Sequence, residues 1–88
     1  MFAIRVESAF LLKSYNVIAV GGEYSGEYTP GETLVNRSNP LEKFITKGLI
    51  LVSHNAKQLP VNWIDLQVFA ENYSVEDLLG KFLVSVKE

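Results

Sequence analysis

The chain of 88 residues contains no cysteine and a single histidine, His54. The lack of thiols excludes disulfides, thiolate metal sites and cysteine nucleophiles. A lone histidine without a ligand spacing around it gives no support for a metal site, and as a general base His54 would need an orienting carboxylate and a nucleophile beside it. We therefore expect no metal, no cofactor and no catalytic residue, and we interpret His54 as an ordinary residue of a loop or strand end.

An excess of charge of one sign is also lacking. Eight lysines and arginines stand against ten acidic residues, which gives a net charge of -2. Proteins that work mainly by binding phosphates usually carry a basic excess or a basic stripe, whereas the basic residues here are scattered along the chain. The composition therefore lowers the expectation of nucleic-acid binding without excluding it.

Long apolar runs are absent as well. No stretch approaches the roughly 18 apolar residues that a membrane span needs. Arg5 and Glu7 interrupt the first apolar segment, so no secretory signal is predicted there. Together with the absence of cysteine, these features lead us to expect a cytoplasmic protein that has no membrane partner.

What the chain does have is apolar residues in alternation, with a hydrophobic content of 48%. Phe2, Ile4, Val6, Phe10 and Leu12 share one parity, which is the pattern of a half-buried strand. Because so long a run rarely keeps its phase, we expect a bend or bulge at Ser8-Ala9.

Similar patterns predict further strands over residues 17–20, 34–35, 49–52, 64–70 and 82–86. Between them we expect a polar loop at 36–40, a short helical turn or irregular edge at 41–44, and a long loop at 53–61. Ser74 to Gly80 is the clearest helical segment, since Ser74 can cap it and Gly80 can end it. Six or seven short strands and one short helical turn near the C-terminus predict an all-β fold, a small closed barrel.

Glycines lie where we expect the chain to bend or turn sharply. Gly21-Gly22 permits a bend or a close approach of two backbones. Gly26 and Gly31 bracket a pair of tight turns, and Pro30-Gly31 is a strong turn signal because glycine can take a positive φ.

The spacing Gly26-x4-Gly31-Glu32 after two apolar strands resembles the second domain of translation GTPases such as elongation factor Tu, a small β-barrel, here without a G domain. Ser8 to Leu12 resembles the opening strand of that domain, and Gly80-Lys81-Phe82-Leu83 resembles its closing signal. The resemblance implies that residues 1–88 form a single translation-factor domain II-like β-barrel. In the family this barrel contacts ribosome, tRNA or partner factors.

Two departures from the family pattern bear on function. Ser14-Tyr15-Asn16 stands where the family has glycine-arginine-glycine, and Glu71-Asn72 stands where it has arginine-glycine, which reverses a charge. We therefore carry over the fold and the turn glycines, but no tRNA-binding residue.

The best candidates for a binding site are aromatic residues in or near predicted loops: Tyr15, Tyr24, Tyr28 and Trp63. Such side chains bring a large contact area at low entropic cost, and they can also stack on bases. The alternative for each is that it plugs a barrel end. Phe69 lies on the polar face of its strand, and contact with Leu11 or Leu83 would make it part of a patch for a partner or a dimer.

We therefore expect a non-catalytic binding module that docks a protein partner, as an adaptor, inhibitor or immunity-type protein does. The alternative is a ribosome- or RNA-associated accessory factor, which requires basic residues to converge on one face beside exposed aromatics. A homo-oligomer stays open. An enzyme would need a deep pocket, which a barrel this small should fill with side chains.

Overall fold

The computed structural model describes residues 1–50, 61–71 and 73–86. These residues form a mostly β structure of six strands with one short α-helix. The strands are β1 (Ala3–Leu12), β2 (Val17–Ser25), β3 (Thr33–Asn36), β4 (Asn39–Leu49), β5 (Trp63–Phe69) and β6 (Phe82–Ser85), and the helix is α1 (Val75–Leu78). A single 3-10 turn, Lys13–Tyr15, links β1 to β2.

All strand pairs are antiparallel, and every strand has two neighbours. The order β1-β2-β5-β4-β3-β6 returns to β1, so the single sheet closes into a barrel. The all-β class and the short helix near the C-terminal end are thus confirmed.

The core fills the inside of the closed sheet. Each strand contributes side chains from its inner face, and α1 contributes one more. The fully buried members are Phe2, Ile4, Val6, Ile18, Val20, Leu34, Phe44, Leu66, Val68, Leu78 and Leu83. Side chains fill the interior, as expected of a barrel with so few strands.

A β-bulge at Glu7 divides β1 into two halves. Val6 pairs with Gly22 and Ser8 with Gly21, so Glu7 is the extra residue. The bulge was predicted one residue later. Its consequence was not predicted: it reverses the alternation, so that Phe10 and Leu12 lie on the outer face of the sheet instead of sharing the inner face with Val6.

The glycine predictions are confirmed at three positions. A Cβ on Gly22 would overlap the backbone oxygen of Arg5, so β1 and β2 approach too closely there for any side chain. Gly26 and Gly31 have φ values of 81° and 84°, which favour glycine.

Two predictions around β4 are wrong. Residues 41–44, expected as a helical turn or irregular edge, belong to β4. The loop expected at 36–40 is a tight turn, because Asn36 ends β3 and Asn39 begins β4. Leu49 ends β4, and residues 51–52 of the strand expected at 49–52, together with residues 53–60 that include His54, lie outside the described residues.

The helix α1 has the predicted ends. The Asp77 carboxylate accepts hydrogen bonds from the Ser74 backbone N–H at 2.8 Å and from the Ser74 hydroxyl at 3.2 Å. Gly80, with φ 80°, turns the chain away after the helix. Leu78 is fully buried, so this short helix packs its apolar residue into the barrel core.

Candidate functional site

A line of apolar side chains crosses the outer face of the sheet. Leu12 of β1 pairs with Val17 of β2, and Val17 pairs with Phe69 of β5. Thr46 of β4 pairs with Val68, which places Ile45 opposite Phe69 on the same outer face. We call Leu12, Val17, Phe69 and Ile45 the apolar row; Phe10 lies beside it, two residues before Leu12 on the same outer face.

The exposure of the row is uneven. Val17 is fully buried although it lies on the outer face, so its larger neighbours cover it. Ile45 is 55% exposed, Phe10 42% and Phe69 39%. Contiguous exposed apolar side chains on a sheet face are typical of interaction sites, whereas scattered ones need no explanation.

The bulge at Glu7 brings two of these five side chains to the outer face. Without it, Phe10 and Leu12 would face the core. Contact of Phe69 with Leu11 or Leu83 would have marked a patch, but Leu83 is buried in the core and Leu11 pairs with Ile18 on the inner parity. Sequence reasoning missed the row because its members come from four strands, and only the register brings them together.

Two of the four aromatic candidates support the core. Phe2 packs against the ring of Tyr24 at a centroid distance of 5.9 Å and against that of Tyr28 at 5.3 Å. Tyr28 donates a hydrogen bond from its hydroxyl to Thr46 Oγ1 at 2.8 Å. Both tyrosines are half-buried, so their packing matches the alternative in which aromatics close a barrel end.

Trp63 is half-buried on the outer face. Its Nε1–H donates to Asp65 Oδ1 at 3.1 Å, and its ring lies over Gly21, where a Cβ would come 3.0 Å from the indole. The missing side chain of Gly21 makes room for the Asp65 carboxylate and the Ser8 hydroxyl, 2.5 Å and 2.9 Å from that Cβ position, as well as for the tryptophan ring.

Tyr15 is 67% exposed in the turn between β1 and β2. It lies at the opposite end of β2 from Trp63, which is about 20 Å away along the strand. The four aromatics therefore do not form one surface. Tyr15 alone adjoins the apolar row, because its turn connects Leu12 to Val17.

A cavity of about 670 Å³ opens at the Ile45 end of the row. It lies beside the turn before β3, next to β3, β4 and the C-terminal end of β6. Its walls are formed by Thr29, Gly31, Glu32, Thr33, Lys43, Ile45, Ser85 and Val86. Ile45 belongs both to this cavity and to the row, so the two features are continuous.

Glu32 is the unusual residue of this cavity. Its Oε1 atom is buried and accepts no hydrogen bond within the described part of the chain. Buried polar atoms are nearly always paired, so an unpaired carboxylate oxygen calls for an explanation. In the sequence Glu32 is one of three carboxylates around the turns, with Glu23 and Glu27, for which a solvated rim is the simpler interpretation and a site for a cation or a basic partner the alternative.

Two arginines lie at Phe82, at another place on the barrel. The Arg37 guanidinium lies 4.1 Å from the centre of the Phe82 ring, and Arg5 pairs with Phe82 across β1 and β6. Lys13 lies in the turn after β1, and Lys43 and Lys47 lie on β4. Lys81 directly precedes Phe82, and its carbonyl accepts a hydrogen bond from the Val6 N–H, so it is a third described basic residue close to this pair.

Within residues 1–50, 61–71 and 73–86, no group of three or more potential metal-ligating side chains is found. In the same ranges, no helix has the length and hydrophobicity that crossing a membrane requires.

Comparisons with protein-family models, with curated proteins and with solved structures find no match to this chain.

Proposed function

We propose that this chain is a non-catalytic binding module that docks a protein partner through the apolar row. The observation that carries the proposal is the half-exposed line of Ile45, Phe69 and Phe10 on the outer face of the sheet. Burying these side chains against a partner would remove their apolar surface from water, which is the main favourable term in protein association.

The position of the row also suits binding. It crosses four adjacent strands, a width of about 14 Å at the usual strand spacing. Because hydrogen-bonded strands hold these side chains, little conformational entropy is lost on binding. As part of the proposal, the barrel is of the translation-factor domain II type and acts in the cytoplasm as an adaptor, inhibitor or immunity-type protein.

Affinity capture from host lysate tests the proposal. The bait is compared with an Ile45→Ser/Phe69→Ser double variant and with Leu41→Ser. Leu41 is 89% exposed on the same strand as Ile45 but lies outside the row, so it is the matched control. We expect the double variant to lose a partner that nuclease treatment leaves bound, and Leu41→Ser to retain it. Equal retention by all three baits would contradict the proposal.

A second candidate is an RNA- or ribosome-associated factor, as the family resemblance implies. The observation that favours it is the arginine pair at Phe82. This candidate predicts that captured material is lost on nuclease treatment, that binding weakens steeply with salt, and that an Arg5→Ala/Arg37→Ala variant binds less.

A further inference from the structure

The cavity at Glu32 has the dimensions and chemistry of a site for one side chain or a small group. Pockets of about 300–1,000 Å³ are the usual size for specific ligands, and this one measures about 670 Å³. Thr29, Thr33 and Glu32 are among the polar residues of its wall, whereas the hydroxyl of Ser85, another wall residue, is bonded to the Phe2 backbone.

The backbone of Glu32 is held in place on both sides. Its N–H donates to the Thr29 carbonyl at 3.0 Å. Its own carbonyl accepts from the Thr46 hydroxyl at 2.6 Å and from the Thr46 N–H at 3.2 Å. The turn therefore presents the Glu32 side chain from a fixed position, while Oε1 has no donor within the described residues.

We propose that this cavity receives a lysine or arginine side chain of the protein that covers the apolar row. The proposal rests on the proposed function, and its argument is charge complementarity. A cationic donor would supply the missing hydrogen bond to a partly buried carboxylate, and such charge-assisted bonds are the stronger kind. The partner segment then carries a basic residue next to apolar ones, because Ile45 joins the cavity to the row.

Lys43 provides a second test of the proposal. It lines the same cavity, so its positive charge opposes the entry of a cationic guest. Removing the charge of Lys43 should therefore strengthen binding of a basic guest, the opposite of what removing the charge of Glu32 should do.

The test is an NMR titration of the isotope-labelled full chain with two peptides, acetyl-Leu-Arg-Leu-amide and acetyl-Leu-Gln-Leu-amide. We expect the arginine peptide to shift the amide signals of residues 29–33 and 43–45, and the glutamine peptide to bind at least tenfold more weakly. Glu32→Gln should abolish this preference. Glu27→Gln, which changes an exposed carboxylate of the same loop, should keep it. Lys43→Met should increase affinity for the arginine peptide severalfold.

Equal binding of the two peptides, or an unchanged preference in Glu32→Gln, would overturn the proposal. Glu32→Gln should fold, since the hydrogen bonds given for this residue use its backbone, and a dispersed amide spectrum would confirm that. The lysate capture is independent of this titration. The Ile45→Ser/Phe69→Ser variant could lose its partner in the capture while the titration shows no preference for the arginine peptide. That outcome would support the docking function and contradict only the proposed basic side chain in the cavity.

Discussion

At the scale of single residues, Gly26 and Gly31 show two different reasons why a position requires glycine. Both have a positive φ, near 80°. A Cβ on Gly26 would also overlap the Met1 carbonyl oxygen, whereas a Cβ on Gly31 would meet nothing within 4 Å. The first glycine therefore serves the conformation and the packing, and the second serves the conformation alone.

Gly31→Ala should lower the free energy of unfolding by about 1 kcal/mol, the usual strain of a positive φ. Gly26→Ala should lower it by at least about 2 kcal/mol, because the backbone of Met1 must also move. Urea denaturation of the two variants measures the difference. Equal losses would show that the contact with Met1 relaxes at no cost.

Tyr28 should matter for stability and not for binding. Tyr28→Phe removes the hydrogen bond to Thr46 Oγ1 and should lower the free energy of unfolding by about 1 kcal/mol. Tyr15→Phe changes an exposed residue and is the control, with no expected loss in the same denaturation experiment. A Tyr28→Phe variant as stable as the parent would argue against a structural role for this hydroxyl.

The turn at Pro30-Gly31 could be predicted from the sequence because its chemistry is local: Gly31 supplies a positive φ and needs no distant partner. The roles of Tyr24 and Tyr28 were left open, because their contacts with Phe2 join residues more than twenty positions apart. Glu32 could not be identified either, since the walls of its cavity come from a turn, β3, β4 and the end of β6.

At the scale of elements, alternation predicted the strands well wherever it was regular. The start of β4 was missed because the apolar alternation of this strand is weak. Only two of its inner-facing residues, Phe44 and Thr46, are buried, and the threonine breaks the apolar pattern. In β1 the break at Ser8 was visible, but the pattern could not show that the alternation reverses there and turns Phe10 and Leu12 to the outer face. The apolar row depends on this reversal.

The short helix gives an element-scale prediction. Asp77→Ala removes the acceptor of both Ser74 hydrogen bonds and should lower the free energy of unfolding by about 1 kcal/mol, as losses of helix caps do. Glu76→Ala, at the adjacent exposed position, should change it by no more than a few tenths of a kcal/mol. Thermal denaturation of both variants provides the measurement, and similar effects would contradict a specific role for the Asp77 carboxylate.

At the scale of the whole molecule, closure of the sheet ties every strand to two others. We therefore expect unfolding in one cooperative step. Trp63 is the only tryptophan, so its fluorescence reports one place on β5, while far-UV circular dichroism reports all strands. The two signals should give the same midpoint in urea. Separate midpoints would show that part of the barrel opens on its own.

The pairing of β6 with both β1 and β3 has a consequence for synthesis on the ribosome. β6 is the last of the six described strands, so while it remains in the exit tunnel β1 and β3 each lack the partner that it provides. Unpaired edges recruit other strands and promote aggregation. The nascent chain is therefore most vulnerable just before residues 82–85 emerge, and a chaperone that shields strand edges would act in that interval.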